Sequence, residues 1–328
     1  MSTLPYPAIL IDLERVGEAG IPLQADRNFQ SELTLCTDLG FKIHAANDRV
    51  RLLFDHDQLV PTWIQRETPS IAWDSLNVKG FLRVQSTNTE AHWLVEQGAP
   101  GGTLVFAEEQ SAGRGRQNRA WHSPAGAGLY CTLILRPRQA RTAWPLLTHV
   151  ASVALAETLK GLCDDERLAR PLNVDIKWPN DVLLSGKKCA GILLEAIGDD
   201  GCNSAALIGF GVNVRKESVP EMLTGMAACL DEMAGTTIPR RKVLVRFLHQ
   251  FQLCYLMFEH GRHGELLERW KSCSSMWNGA QIYIGRGEKR REAVTCGIND
   301  MGALMVRNAE GLLETLLAED VSICQRNL

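Results

Sequence analysis

Three short stretches combine residue types that could grip an anion. Gln110-Ser111-Ala112-Gly113-Arg114-Gly115-Arg116-Gln117-Asn118-Arg119-Ala120-Trp121 sets three arginines and two glycines in a dozen positions. Guanidinium forks bind carboxylate or phosphate oxygens at two points, and glycine lets the backbone pass close to a ligand. By itself the stretch reads more readily as a surface loop with solvated charges. Lys177-Trp178-Pro179-Asn180-Asp181 could hold a metal-bound phosphate while lysine offsets charge, although Pro-Asn-Asp is also ordinary turn chemistry. Shortly after it come Lys187-Lys188-Cys189-Ala190-Gly191, and well before it Ser86-Thr87-Asn88. G-x-x-x-x-G-K-[ST] occurs nowhere, which excludes a P-loop nucleotide fold. His260 and His263 tempt a metal reading, but flanking glycines and the lack of a carboxylate set favour a surface loop at a helix end.

These stretches sit in the middle of three regions. Residues 63–273 alternate strand and helix signals. Strands are expected at Gly80–Val84, Gly102–Ala107, Leu129–Leu135, Val174–Trp178, Val182–Leu184, Gly191–Ala196 and Ala205–Val214. Helices are expected at Asn88–Gln97, Leu146–Leu162, Pro220–Met233 and Arg240–His260. Hairpin neighbours mixed with helices indicate α+β rather than a doubly wound sheet. Residues 1–62 carry two helical stretches, Pro7–Glu18 and Gln24–Leu39, then strands Phe41–His44 and Val50–Phe54 around Asn47-Asp48, as in a shortened winged helix. Residues 274–328 form short strands (Gln281–Ile284, Arg291–Cys296, Ala303–Val306, Val321–Ile323) spaced as in a small β-barrel.

Composition narrows the classes further. The 328 residues are 45% hydrophobic and 22% charged, with a net charge of −3, which is ordinary globular composition. No apolar run is long enough to span a bilayer, and the opening residues lack a basic segment before an apolar one. Ten scattered cysteines without a C-x-x-C pair suit a reducing compartment, so a cytoplasmic protein is expected. The first 62 residues hold five basic and nine acidic side chains. That balance argues against DNA binding without excluding it, because phosphate neutralisation supplies much of a DNA reader's affinity.

Taken in order, Ser-Thr-Asn, the Gly-Arg-Gly-Arg loop with its trailing Trp, Lys-Trp-Pro-Asn-Asp, Lys-x-Ala-Gly-Ile-Leu and Gly209-Phe210-Gly211-Val212-Asn213 closely resemble the biotin–protein ligase family. Gly297–Leu304 resembles that family's terminal barrel. The resemblance implies an α+β fold: a central mixed-sheet domain of the class II aminoacyl-tRNA-synthetase type, a winged-helix-like N-terminal domain and an SH3-like C-terminal barrel. It implies activation of biotin by ATP and Mg²⁺ to biotinyl-5′-AMP, followed by transfer to a lysine of the biotin carboxyl carrier protein of acetyl-CoA carboxylase. Carried over by motif position, Ser86, Thr87, Asn88, Gln110, Arg114, Gly115, Arg116, Lys188, Gly191 and Gly209 would bind biotin. Arg116, Arg119, Trp121, Asn180, Lys188 and Asn213 would bind ATP, with Lys188, Arg116 and Asp181 catalytic and Asp181 holding Mg²⁺. A homodimer fits the resemblance. A biotinyl-AMP-responsive repressor and a lipoate or octanoate ligase are the alternatives. Cys324 stands where a basic residue near the nucleotide occurs in a bifunctional member.

Overall fold

The computed structural model describes all residues except 1–2, 17–18, 25, 39–40, 54, 56, 69–70, 73–75, 166–170, 199–203, 286–289, 318 and 324–328. Expectations that fall on Glu18, Leu39, Phe54 and Cys324 lie outside the described residues.

The chain opens with a two-residue strand, β1 (Leu4–Pro5), before helix α1 (Ala8–Val16), strand β2 (Ile21–Pro22), helix α2 (Arg27–Asp38) and the hairpin β3 (Ile43–Ala46) and β4 (Arg49–Leu52). Asn47 and Asp48 both take positive φ, the geometry of a type I′ hairpin turn, and β2 completes a small sheet in the order β2-β4-β3. Helix α3 (Pro61–Glu67) follows, with proline suited to its first turn.

The middle of the chain supplies β5 (Asn77–Val84), α4 (Thr87–Glu96), β6 (Thr103–Gln110), β7 (Gly128–Leu135), α5 (Leu147–Asp165), β8 (Val174–Lys177), β9 (Asp181–Leu184), β10 (Lys187–Ile197) and β11 (Ala205–Asn213). With β1 they build an eight-stranded sheet in the order β1-β5-β6-β7-β11-β10-β9-β8. Only β5 and β6 run parallel, joined by α4, so the domain is α+β as expected. Every residue of β7 and β11 is buried, which explains their near-continuous apolar sequences. Helix α5 covers one face together with α7 (Arg240–Glu259), whose Phe247, Phe251, Tyr255 and Phe258 are buried in sequence along the helix. On the other face α4 seals a smaller cluster of Ala91, Val95, Val105, Ile134, Ala205 and Leu207.

The expected helix Pro220–Met233 is mostly absent. Only α6 (Leu230–Ala234) is α-helical there, after a single tight turn at Glu221–Leu223. Lys188 N donates to Met226 O and Ala228 N donates to Lys188 O, both at 2.9 Å, so this backbone extends the edge of β10 instead of closing helical turns. A helix not expected, α8 (His263–Ser272), buries Leu266, Leu267 and Trp270; His260 closes α7 and His263 opens α8. The C-terminal sheet has five strands, β12 (Asn278–Ile284), β13 (Arg291–Ile298), β14 (Leu304–Asn308), β15 (Leu313–Leu316) and β16 (Val321–Ile323), in the order β15-β14-β13-β12-β16. β15 escaped the sequence reading.

The N-terminal residues pack into the same core as the central sheet. Tyr6 OH donates to Leu59 O at 2.8 Å and lies 3.3 Å from Glu108 Oε1 on β6. Glu108 in turn accepts from Arg240 Nη1 at 2.6 Å, and Asp57 accepts from the Arg240 backbone N–H at 2.9 Å. Buried charges are tolerated because each is paired and hydrogen-bonded.

Candidate functional site

Glycine decides where the sheet can receive a ligand. Gly191 on β10 pairs with Gly211 on β11, and Gly209 lies across from Thr132 on β7. A methyl group at Gly211 would meet the Trp121 ring at 2.4 Å, and one at Gly209 would meet Asn88 Oδ1 at 2.2 Å. A methyl group at Gly191 would stand 3.0 Å from Trp121 and 3.2 Å from Lys188 Nζ. The strands therefore lack side chains where Trp121, Asn88 and Lys188 must lie flat on them.

Above that floor is a cavity of about 340 Å³. Of the expected site residues, Ser86, Thr87, Asn88, Gln110, Arg114, Gly115, Arg116, Arg119, Trp121, Asn180, Asp181, Lys188, Gly191 and Gly209 all line it. Asn213 does not. It is buried at the end of β11, where its Nδ2 donates to Ala228 O at 3.3 Å.

One end of the cavity is neutral and polar. Ser86, Thr87 and Asn88 are buried at the start of α4. Gln110 Oε1 accepts from Thr87 N at 2.8 Å and from its hydroxyl at 3.2 Å, while Gln110 Nε2 donates to Ser123 Oγ at 2.9 Å. The Thr132 hydroxyl donates to Asn88 Oδ1 at 2.6 Å. Such a ring of fixed amides and hydroxyls suits a ligand with its own polar heterocycle.

The other end is charged. Lys188 Nζ sits 2.7 Å from Asp181 Oδ1 and 5.3 Å from the centre of the Trp121 ring. Arg116 Nη1 donates to Asn180 Oδ1 at 3.0 Å, and Asn180 Nδ2 donates to Ile192 O at 2.8 Å, so the loop and the β8–β9 turn hold each other. Burial lowers the pKa of Arg116 and of Lys177, and the nearby Asp181 and Asp320 carboxylates offset part of that cost.

Several contributors were not among the residues assigned to a ligand by motif position. Lys177, Trp178, Gly211 and Leu223 line the cavity, and so do Gly285, Asp320, Val321 and Ser322 of the C-terminal sheet. Lys177, Trp178 and Gly211 belong to motifs already noted, and neighbourhood could have flagged them. Asp320 is an unremarkable carboxylate 201 residues away from its partner Arg119, and no local signal marks it.

A glycine floor with a polar pocket at one end and cations at the other suits a ligand that carries a polar ring and an anionic group. In agreement, residues 80–213 match the model of the biotin/lipoate A/B protein ligase family. The bifunctional ligase/repressor BirA of Bacillus spizizenii is 34% identical over 244 residues, covering 72% of this chain and 71% of that protein. The biotin–[acetyl-CoA-carboxylase] ligase of Paracoccus denitrificans is 47% identical over 137 residues, 41% of this chain and 53% of that one. Among solved structures, the Aquifex aeolicus biotin protein ligase in complex with biotin and ATP superposes with a TM-score of 0.63 at 26% identity, covering 76% of this chain and 99% of that one. The chain belongs to the biotin–protein ligase family. Among the described residues, no helix is long and apolar enough to cross a membrane.

Proposed function

We propose that the protein activates biotin with ATP to biotinyl-5′-AMP and passes the biotinyl group to a lysine of a biotin carboxyl carrier domain of acetyl-CoA carboxylase. The observation that carries this is the placement of Lys188 and Arg116 in the same cavity as the Ser86-Thr87-Asn88 pocket. In this reading the polar pocket holds the biotin ring, with Gln110 orienting Thr87. Arg114, Gly115 and Arg116 cover the ligand, and Arg119, Trp121 and Asn180 serve the nucleotide end.

In the first step a biotin carboxylate oxygen attacks the α-phosphorus as the bond to pyrophosphate breaks. Two anions meet, so a fixed cation between them stabilises the transition state more than the separate ligands. Lys188 is that cation. Asp181 holds its ammonium group in place until the substrates arrive. In the second step the acceptor amine attacks the acyl carbon and AMP departs with the bonding electrons. Because the intermediate is a mixed anhydride, the loop from Gln110 to Trp121 excludes water while it waits.

Among the described residues, no cluster of three or more His, Cys, Asp or Glu side chains is arranged to hold a metal alone. The Asp181 carboxylate, which lines the cavity beside Lys188, fits Mg²⁺, an ion that takes one or two carboxylates together with substrate phosphates and water. Asp181 would hold it, and the ion would neutralise charge on the departing pyrophosphate. A DNA-binding role is not favoured: α2 has Arg27 as its basic residue against Glu32 and Asp38.

The test is pyrophosphate release by the purified protein with Mg-ATP, with and without biotin, followed by mass spectrometry for bound biotinyl-adenylate. Release that does not depend on biotin, with no adenylate found, would discard this function.

A further inference from the structure

Glu195 lies on β10 beyond the cavity, and nothing in the reaction above uses it. It follows Gly191 and Leu193 at two-residue spacing, so its side chain projects from the cavity face of the strand. Its Oε2 accepts from Asn88 Nδ2 at 2.7 Å and lies 3.5 Å from Arg114 Nη2. These two contacts close a circuit. Asn88 Oδ1 is taken by the Thr132 hydroxyl, which is 2.9 Å from the Thr87 hydroxyl. Thr87 is bonded to Gln110, Gln110 to Ser123, and the Ser123 hydroxyl donates to Trp121 O at 3.0 Å. The circuit touches the glycine–arginine loop at its start (Gln110), its middle (Arg114) and its end (Trp121).

We infer that Glu195 is a positioning residue: its carboxylate holds Arg114 and thereby the middle of the loop, while fixing which way the Asn88 amide faces. Both jobs require an acceptor, but only the first requires a negative charge. Glu195→Gln separates them, since the new amide can still accept from Asn88 through its oxygen. This role rests on the ligase reading above for its catalytic consequence, but not for its effect on the loop.

Two measurements test it. In the ligand-free protein, trypsin should cleave after Arg116 roughly two- to fivefold faster in Glu195→Gln than in wild type, the range for a partly exposed ion pair. With biotin and Mg-ATP, escape of biotinyl-adenylate into solution should rise by about the same factor, while KM for biotin stays within about twofold. Arg114→Gln should raise escape equally, and the double variant should be no worse than either single one, because both remove one interaction. Wild-type cleavage and escape rates in Glu195→Gln, or additive effects in the double variant, overturn the proposal. If wild type makes no adenylate, the ligase reading fails, and the proteolysis still decides the role of Glu195.

Discussion

Arg119, at the end of the glycine–arginine loop, is ion-paired with Asp320, just before the last strand of the C-terminal sheet. Both residues line the cavity. The small C-terminal sheet therefore reaches the nucleotide end of the proposed site through a carboxylate, the same charge as the triphosphate expected there.

A first prediction follows from that like charge. Asp320 competes with the nucleotide for Arg119, so Asp320→Asn should lower KM for ATP by roughly two- to fivefold, the worth of a partly exposed pair. Steady-state kinetics at saturating biotin would show it. An unchanged or raised KM would mean that Asp320 orders the site rather than competing for it.

Lys188 is half-buried and its ammonium contacts Asp181 and the Trp121 face rather than the core. Lys188→Ala should cut the rate of adenylate formation by about 100-fold or more, as expected when a preorganised charge facing the transition state is removed. The melting temperature should stay close to wild type. Rapid-quench measurement of biotinyl-adenylate in a single turnover is the direct assay, and a rate within tenfold of wild type would remove Lys188 from the chemistry.

Gly211 is a steric requirement. The Trp121 ring occupies the space where a side chain would begin, with 2.4 Å to the nearest ring atom. Gly211→Ala should displace the indole, cost about 1–3 kcal/mol of stability in the manner of overpacked cores, and weaken nucleotide binding. Denaturant unfolding together with calorimetric titration checks both parts; normal binding would show that Trp121 can shift without consequence for the site.

His149 is buried beside Trp270, with ring centres 5.4 Å apart, and against Gly302 of the C-terminal region. Burial lowers its pKa from 6.5 to about 4, so the folded protein holds it neutral where the unfolded chain would protonate it. Stability from this group is complete above about pH 6.5 and is lost as pH falls toward 4, at up to about 1.4 kcal/mol per pH unit. His149→Gln should flatten that part of the stability profile between pH 7 and 4, measured by urea unfolding. An identical slope in the variant would assign the loss to other groups.

The site was legible from sequence to the extent that its residues travel in motifs. Ser86-Thr87-Asn88, Gln110–Trp121, Lys177–Asp181 and Lys188–Gly191 lie at strand ends or at the turns joining strands, and the sheet gathers those around one cavity. What escaped lacked local context. Asp320 and Glu195 are single carboxylates whose partners are 201 and 107 positions away. Asn213 was grouped with the nucleotide by motif, yet its amide is spent on Ala228 O. In the fold, the apolar residues of 220–233 suggested a helix, but pairing with β10 claimed that backbone. Strand β1 is two residues long, too short for any periodicity to announce it.

That first strand matters to anyone trimming the molecule into a compact labelling tool. Cutting at residue 62 would leave a soluble-looking fragment by sequence, but it would strip the sheet of its border and bare the hydrogen-bonding rim of β5. It would also withdraw the Tyr6 ring from Phe106 and leave the Glu108–Arg240 pair short of a cover. A shortened ligase therefore needs a graft of the Leu4–Pro7 segment back onto that rim, supplied in cis or as an added peptide.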